Sequence, residues 1–135
     1  MSTLTANLAV LVVDDHPIVA HGLGLLLKDH VRCVESVESG EALLVHLHVS
    51  SPDIVLLDIG MRGISGLQAL ESLRLLGFTV PVVILSIHVE MAIVRRALEL
   101  GASGYVVKQA SEQELVAAIE SAARGEVFIS PGIPG

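Results

Sequence analysis

Short apolar runs alternate along the chain with longer segments in which apolar residues recur at helical spacing. The five runs span residues 8–13, 33–37, 54–57, 80–85 and 104–107. Such alternation is typical of βαβ units, in which parallel strands are joined by helices that cover the sheet. The pattern therefore predicts an α/β fold with five parallel strands, each followed by a helix.

The composition of the runs indicates where two of the strands lie in the sheet. Residues 33–37 mix polar with apolar side chains, as a strand at the edge of a sheet does. Residues 82–85 are continuously apolar, as expected for a central parallel strand that is buried on both faces. In the common doubly wound order 2-1-3-4-5, the second strand is at an edge and the fourth is internal.

Local signals support the predicted helices. Pro17 suits the first turn of a helix, and Ser111 followed by Glu114 has the spacing of a capping box. Gly101 is placed to end a helix in a left-handed conformation. We predict helices that begin and end near these residues.

Composition narrows the class of protein. The 135 residues are 52% apolar, which suits one folded domain, and the net charge of −7 is the wrong sign for binding nucleic acid. The single cysteine, Cys33, excludes an internal disulfide and favours a cytoplasmic location. No apolar run approaches the ~20 residues that span a bilayer, so we expect no contact with a membrane.

Polar side chains follow four of the five runs. In a parallel α/β sheet, ligands bind beyond the carboxyl ends of the strands, and neighbouring strand ends meet at one rim. The side chains that we expect to converge there are Asp14, Asp15, Asp58, Ser86 and Lys108. The sequence thus predicts a site of three acids, one hydroxyl and one ammonium.

The chemistry of such a site favours a hard divalent cation. Two carboxylates about 4 Å apart repel by about 4 kcal/mol at an effective dielectric constant near 20. Oxygen ligands of this kind suit Mg²⁺, which leaves room for a phosphate oxygen. A carboxylate beside Mg²⁺ and a lysine can attack phosphorus and form an aspartyl phosphate.

Four segments resemble the receiver domain of bacterial two-component response regulators: residues 10–17, 52–58, 83–86 and 104–108. Residues 14–17 and 97–108 are most similar to the NarL/FixJ branch, whose members usually continue into a helix-turn-helix output domain. The resemblance implies a flavodoxin-like, three-layer sandwich with five strands and five helices. It implies a receiver domain over residues 1–125, with 126–135 as a C-terminal tail or the start of a linker.

The resemblance also implies roles for the acidic residues. Asp58 would be the phosphoacceptor. Asp15 would bind Mg²⁺ directly and Asp14 largely through water, and the backbone carbonyl of Gly60 would be a further ligand. His16 follows the acidic pair and is placed to touch the edge of the site, although Pro17 indicates that its main role is to start the helix.

The same resemblance assigns the remaining rim residues. Lys108 would pair with the phosphoryl group, Ser86 would move to hydrogen-bond it, and Tyr105 would be the aromatic residue whose rotamer reports that movement. Two positions depart from the family pattern, which usually has Pro at Arg62 and a small residue at Ile87. We expect Arg62 to loosen its loop and Ile87 to slow attack on the acyl phosphate.

The function implied is a phosphorylation switch and not an enzyme. A sensor histidine kinase would be the phosphoryl donor, and the face of the fourth helix, fifth strand and fifth helix would be available for homodimerisation. Two alternatives remain from the residues alone. One is an interaction module in which the rim acids are structural, and the other is a phosphatase with an aspartate nucleophile.

Overall fold

The computed structural model describes residues 5–61 and 63–133, so Arg62 and the end of the predicted tail lie outside the described residues. Within these ranges the chain alternates strands with helices. The strands are β1 (Ala9–Val13), β2 (Cys33–Val37), β3 (Ile54–Asp58), β4 (Val82–Ser86), β5 (Gly104–Val107) and β6 (Phe128–Ile129). The helices are α1 (Pro17–Leu27), α2 (Gly40–Val49), α3 (Gly66–Leu75), α4 (Met91–Glu99) and α5 (Glu112–Ala123).

All strand pairs of the sheet are parallel, and the order is β2-β1-β3-β4-β5-β6. The predicted α/β fold and the order of the first five strands are confirmed. The register aligns the carboxyl ends of the central strands, because Asp58 is opposite Leu85 and Ser86 is opposite Val107. These ends form one rim of the sheet, which we call the carboxyl rim.

The prediction of five strands was wrong by one, because β6 extends the sheet beyond β5. The strand is only two residues long, too short to show a period of apolar positions. Ser130 holds it in place: its backbone N–H donates to the Tyr105 carbonyl at 2.9 Å, and its hydroxyl accepts from the Val107 N–H at 3.1 Å. The Ser130 hydroxyl also contacts the Glu114 carboxylate. The domain boundary after residue 125 stays a prediction.

Buried side chains form a core on each face of the sheet. Leu43 of α2, Leu70 of α3 and Val94 of α4 pack on one face, and Leu27 of α1 and Ile119 of α5 pack on the other. Strand residues alternate between the two clusters, as the two-residue period of a strand requires. Each fully buried aliphatic side chain contributes about 1.5–3 kcal/mol. The result is the predicted three-layer sandwich, whose rigid layers fix the positions of the strand ends.

Two of the predicted helix signals are confirmed, and the predicted capping box is confirmed only for its Ser111 half. Pro17 is the first residue of α1, and Gly101 has a φ of +90° just after α4. The Ser111 hydroxyl accepts from the Glu114 N–H at 3.1 Å and caps α5. In the part of the chain that the structure describes, no helix has the length and apolar character needed to cross a membrane.

Candidate functional site

Three charged side chains from separate strand ends meet at the carboxyl rim. Asp14 follows β1, Asp58 ends β3 and Lys108 follows β5. The Lys108 Nζ lies 3.2 Å from Asp58 Oδ1 and 3.7 Å from Asp14 Oδ2. Both carboxylates are buried, with only 2% of Asp14 and 4% of Asp58 exposed. The structure therefore brings these predicted residues together around one ammonium group.

The two oxygens of Asp58 have different surroundings. Oδ1 accepts a hydrogen bond from the Gly60 N–H at 3.1 Å and faces Lys108. Oδ2 is buried and has no hydrogen-bond partner among the described residues. A buried carboxylate oxygen without a partner is costly, so such an atom indicates a place for a ligand.

His16 lies against the acidic pair. Its backbone N–H donates to Asp14 Oδ1 at 2.8 Å, and its ring Nδ1 lies 3.0 Å from both Asp14 Oδ1 and Asp15 Oδ1. Asp14 Oδ2 is buried and makes no hydrogen bond to any described residue. The sequence analysis placed His16 mainly at the start of α1. Its adjacency to two acids is the only sequence signal for the contacts seen here.

The donor atoms at the rim suit a divalent metal ion. One ligand atom each from Asp14, Asp15, His16 and Asp58 lies within 4.8 Å of the others. Three carboxylates lie in this cluster, and Lys108 contacts those of Asp14 and Asp58, so a further positive charge would reduce the repulsion among them. The carboxylate oxygens of this cluster are the hard ligands that Mg²⁺ prefers. The residues present therefore fit a magnesium ion.

Ser86 and Tyr105 hold the loop after β4 through the same residue. The Ser86 hydroxyl accepts from the His88 N–H at 2.9 Å, and the Tyr105 hydroxyl donates to the His88 carbonyl at 2.9 Å. Both side chains are buried. The backbone at His88 thus links the rim hydroxyl to the tyrosine, a connection that spacing in the sequence does not indicate.

Burial raises the pKa of Tyr105, because the charged phenolate would lose its solvation. A hydrogen bond with the Ser86 side chain acts in the opposite direction, and the negative charge of Glu90 adds to the increase. The neutral phenol is therefore the form that the folded protein favours, and it is the form that can donate to His88.

Gly66 positions the backbone beneath Asp58. A Cβ atom added at Gly66 would lie 2.3 Å from the Asp58 carbonyl oxygen and 2.8 Å from the Ile59 Cα. The Gly66 N–H donates to the Ile59 carbonyl at 3.0 Å. Because these neighbours are backbone atoms, they cannot rotate away. The sequence analysis missed this glycine, and its place three residues after Gly63 at the start of a helix was the available signal.

Ile87, which the family comparison of motifs singled out, and Arg96 of α4 lie outside the acidic cluster. Ile87 follows Ser86 and is 65% exposed. On the proposed dimer face, Arg96 of α4 pairs with Glu71 of α3 at 3.0 Å. Arg96 therefore already has a partner within the chain.

A comparison with known protein families finds one family that matches most of the chain. Residues 10–120 match the family described as the response regulator receiver domain. This match covers β1 through most of α5 and includes every rim residue described above.

Curated relatives carry names from the same class of protein. The nitrate/nitrite response regulator protein homolog of Haemophilus influenzae is 36% identical over 130 residues, which is 94% of this chain and 62% of that protein. The response regulator UvrY of Escherichia coli is 33% identical over 92% of this chain and 58% of its own length. The chain thus spans about three-fifths of the curated relatives that it matches.

Solved structures agree with this comparison. A LuxR-family two-component response regulator from Aurantimonas sp. SI85-9A1 has a TM-score of 0.84 at 34% identity, covering 95% of this chain and 93% of that one. The isolated receiver domain of RcsB from Salmonella enterica serovar Typhimurium was solved with the phosphomimetic BeF3−. It has a TM-score of 0.85 at 25% identity, covering 94% of this chain and 96% of that one.

Proposed function

The chain belongs to the response regulator receiver domain family, as a receiver of the NarL and LuxR type, and from this premise we propose that Asp58 is its phosphoacceptor. The observation that carries the proposal is the unpartnered, buried Oδ2 of Asp58. The opposite oxygen is held by the Gly60 N–H and Lys108, so the carboxylate has one oriented, available oxygen.

In the proposed transfer, Asp58 Oδ2 forms a bond to phosphorus while the donor's nitrogen–phosphorus bond breaks. The electrons of the broken bond remain on the donor imidazole of a sensor histidine kinase. Lys108 is positioned to pair with the negative charge on the transferring group, as a lysine near a phosphoryl group commonly does. The aspartate becomes a mixed anhydride, which water later hydrolyses.

We assign the binding of Mg²⁺ to the carboxylates of Asp14, Asp15 and Asp58 and to the carbonyl of Gly60. When bound, the ion neutralises charge on the phosphoryl oxygens. Asp14 is fixed by the His16 N–H, and Asp58 by the Gly60 N–H, so both carboxylates are oriented before an ion arrives. Such preorganisation lowers the entropic cost of binding.

The proposed switch runs through His88. If the Ser86 hydroxyl turns to a phosphoryl group, it gives up its bond to the His88 N–H. The loop after β4 can then move, and the bond between Tyr105 and the His88 carbonyl is weakened with it. Phosphorylation shifts the equilibrium between the inactive and active conformations only by the difference in free energy of the phosphoryl group's contacts in the two conformations. Ser86 and Lys108 supply that difference, and Tyr105 transmits it to α4.

The wider role is also proposed. The name of another relative, the transcriptional regulatory protein YdfI of Bacillus subtilis, supports an output in transcription regulation by a longer protein. A cytoplasmic location of this chain and a sensor histidine kinase as the phosphoryl donor belong to the same proposal. Homodimerisation would use the face of α4, β5 and α5. The domain would act as a switch and not as a multiple-turnover enzyme, and the slowing effect of Ile87 on hydrolysis stays a prediction.

Incubation with acetyl phosphate and Mg²⁺, followed by intact mass measurement, tests the proposal. We expect one added phosphoryl group on the native chain and none on Asp58→Ala. Asp29→Ala is a matched control, because this aspartate is exposed and outside the rim. The control should be modified to the native extent.

The alternatives predict different results. An adduct that survives Asp58→Ala would contradict the proposal, and absence of any adduct would favour an interaction module. Repeated release of phosphate from simple phosphate esters would favour a phosphatase.

A further inference from the structure

We propose that His16 is itself a ligand of the ion at the carboxyl rim, and that its imidazole raises the affinity of the site for Mn²⁺ and Co²⁺ relative to Mg²⁺. This inference rests on the proposed function, because it concerns the same metal site. It adds an imidazole nitrogen to a set of ligands that would otherwise be oxygen atoms.

The distances at His16 match those between neighbouring ligands of one ion. Its Nδ1 lies 3.0 Å from Asp14 Oδ1 and 3.0 Å from Asp15 Oδ1. Ligands at right angles around an octahedral ion, each about 2.1 Å from it, are about 3.0 Å apart. Both distances from the His16 Nδ1 therefore equal the separation of neighbouring ligands of one ion.

Two buried oxygens that accept no hydrogen bond from the described residues lie in the same cluster. Asp14 Oδ2 and Asp58 Oδ2 are buried and have no hydrogen-bond partner among the described residues, although their residues are only 2% and 4% exposed. The His16 side chain is 60% exposed and lies over the acids from the solvent side. An ion entering the rim would thus meet the imidazole on one side and the buried carboxylates on the other.

The backbone places the ring over the acids. His16 is the N-cap of α1, but its side chain makes no capping hydrogen bond. Its N–H is held by Asp14 Oδ1, and Pro17 fixes the first turn of the helix that follows. The ring therefore does not stabilise the helix end, and its contacts are with the carboxylates.

An imidazole ligand changes which ions bind best. Affinity at mixed nitrogen and oxygen sites rises from Mn²⁺ to Co²⁺ along the first transition row, whereas Mg²⁺ prefers oxygen and gains little from nitrogen. Loss of His16 should consequently lower the affinity for Mn²⁺ and Co²⁺ and leave that for Mg²⁺ nearly unchanged.

Pulsed electron paramagnetic resonance of bound Mn²⁺ tests the ligand directly, because an imidazole nitrogen bonded to the ion modulates the electron spin echo. At about pH 8, where an imidazole is ordinarily neutral, we expect nitrogen modulation from the native chain and none from His16→Asn. His21→Asn is the matched control, since His21 is an exposed histidine of the same helix. Its modulation should equal that of the native chain.

Affinities measured on the same variants give a second readout. We expect His16→Asn to weaken Mn²⁺ and Co²⁺ binding about tenfold and Mg²⁺ binding by less than about twofold. Mn²⁺ bound to the native chain without nitrogen modulation would overturn the inference and leave the proposed function standing. Tighter binding of all three ions by His16→Asn would also overturn it, because His16 would then act as a competing cation. Failure of the native chain to bind any of the ions would contradict the metal site of the proposed function as well.

Discussion

A cation lies among polar groups at each end of the strands, but the two cations have different kinds of partner. Near the amino ends of β4 and β5, the Arg74 guanidinium donates to the carbonyls of Phe78, Val80 and Gly101 at 2.9, 3.1 and 3.0 Å. Burial lowers the pKa of Arg74, and the carbonyls compensate by accepting its hydrogen bonds. At the amino ends of the strands, the protein itself thus supplies acceptors for the buried cation.

At the carboxyl rim, the cation is outnumbered. Lys108 contacts Asp58 and Asp14, and the buried Oδ2 atom of each has no hydrogen-bond partner among the described residues. The fold itself thus supplies partners for the cation at the amino ends of the strands, whereas the carboxyl rim has more acceptors than donors among the described residues. We propose that a ligand supplies the missing positive charge at the rim. Both ends of the strands carry charge, but only the carboxyl rim has buried carboxylate oxygens without hydrogen bonds among the described residues. Such oxygens, more than charge itself, indicate where a ligand binds.

The largest predicted effect comes from closing the space under the rim. Gly66→Ala would place a methyl group 2.3 Å from the Asp58 carbonyl oxygen, so we expect a loss of about 3 kcal/mol in the free energy of unfolding. We also expect slower phosphorylation by acetyl phosphate, because the backbone of Asp58 must shift. Urea unfolding and mass measurement check these outcomes.

Gly22→Ala is the matched control for that substitution. Gly22 lies within α1, and an added Cβ meets nothing within 4 Å. We expect a gain of about 0.5–1 kcal/mol from the helix preference of alanine and an unchanged rate of phosphorylation. Equal losses in the two variants would contradict the special role of Gly66.

A smaller loss of stability is expected from a substitution at the amino ends of the strands. Arg74→Met keeps much of the aliphatic length but removes the donors to three carbonyls, which should cost about 2 kcal/mol in urea unfolding. Phosphorylation at a temperature where the variant is folded should be unchanged. A loss of phosphorylation without a loss of stability would contradict the proposal that Arg74 serves only the stability of the fold.

The fold was largely predictable because period and burial are properties of runs of residues. Residues 33–37 and 104–107 form strands with the predicted bounds, and only β6 was missed. That strand depends on contacts between Ser130 and β5, which are far apart in sequence. A two-residue strand of this kind has no periodic signal.

The site was predictable as a set of strand-end residues but not as a set of contacts. Asp14, Asp58 and Lys108 were expected at one rim because parallel strands end together, and the structure places them there. The roles assigned to them stay predictions. The His88 backbone and the ring of His16 enter through loop conformation and rotamers, which residue spacing does not encode.

The smallest predicted effect concerns the link from the rim to Tyr105. Tyr105→Phe removes the hydrogen bond to the His88 carbonyl and should cost about 1 kcal/mol near neutral pH. Because the pKa of Tyr105 is raised in the folded state, the unfolded chain ionises first as pH rises, and the native chain then loses stability. Above about pH 10 the stability difference between the two proteins should therefore shrink.

Urea unfolding as a function of pH checks this prediction. Tyr105 is the only tyrosine in the chain, so phenolate absorbance reports its ionisation alone. A difference that stays constant from neutral to alkaline pH would contradict the raised pKa.

The central claim is that the carboxyl rim lacks a positive charge until a metal ion binds. The most direct test is the free energy of unfolding of the native chain and of Asp14→Asn, measured in EDTA and in Mg²⁺. Without metal, Asp14→Asn should be about 1 kcal/mol more stable, because it relieves repulsion among the carboxylates. Mg²⁺ at about 100 times its dissociation constant should stabilise the native chain by about 2.7 kcal/mol and reverse the order. If Asp14→Asn is the less stable protein in EDTA and Mg²⁺ leaves the native chain unchanged, the rim is a finished structural cluster and the account is wrong.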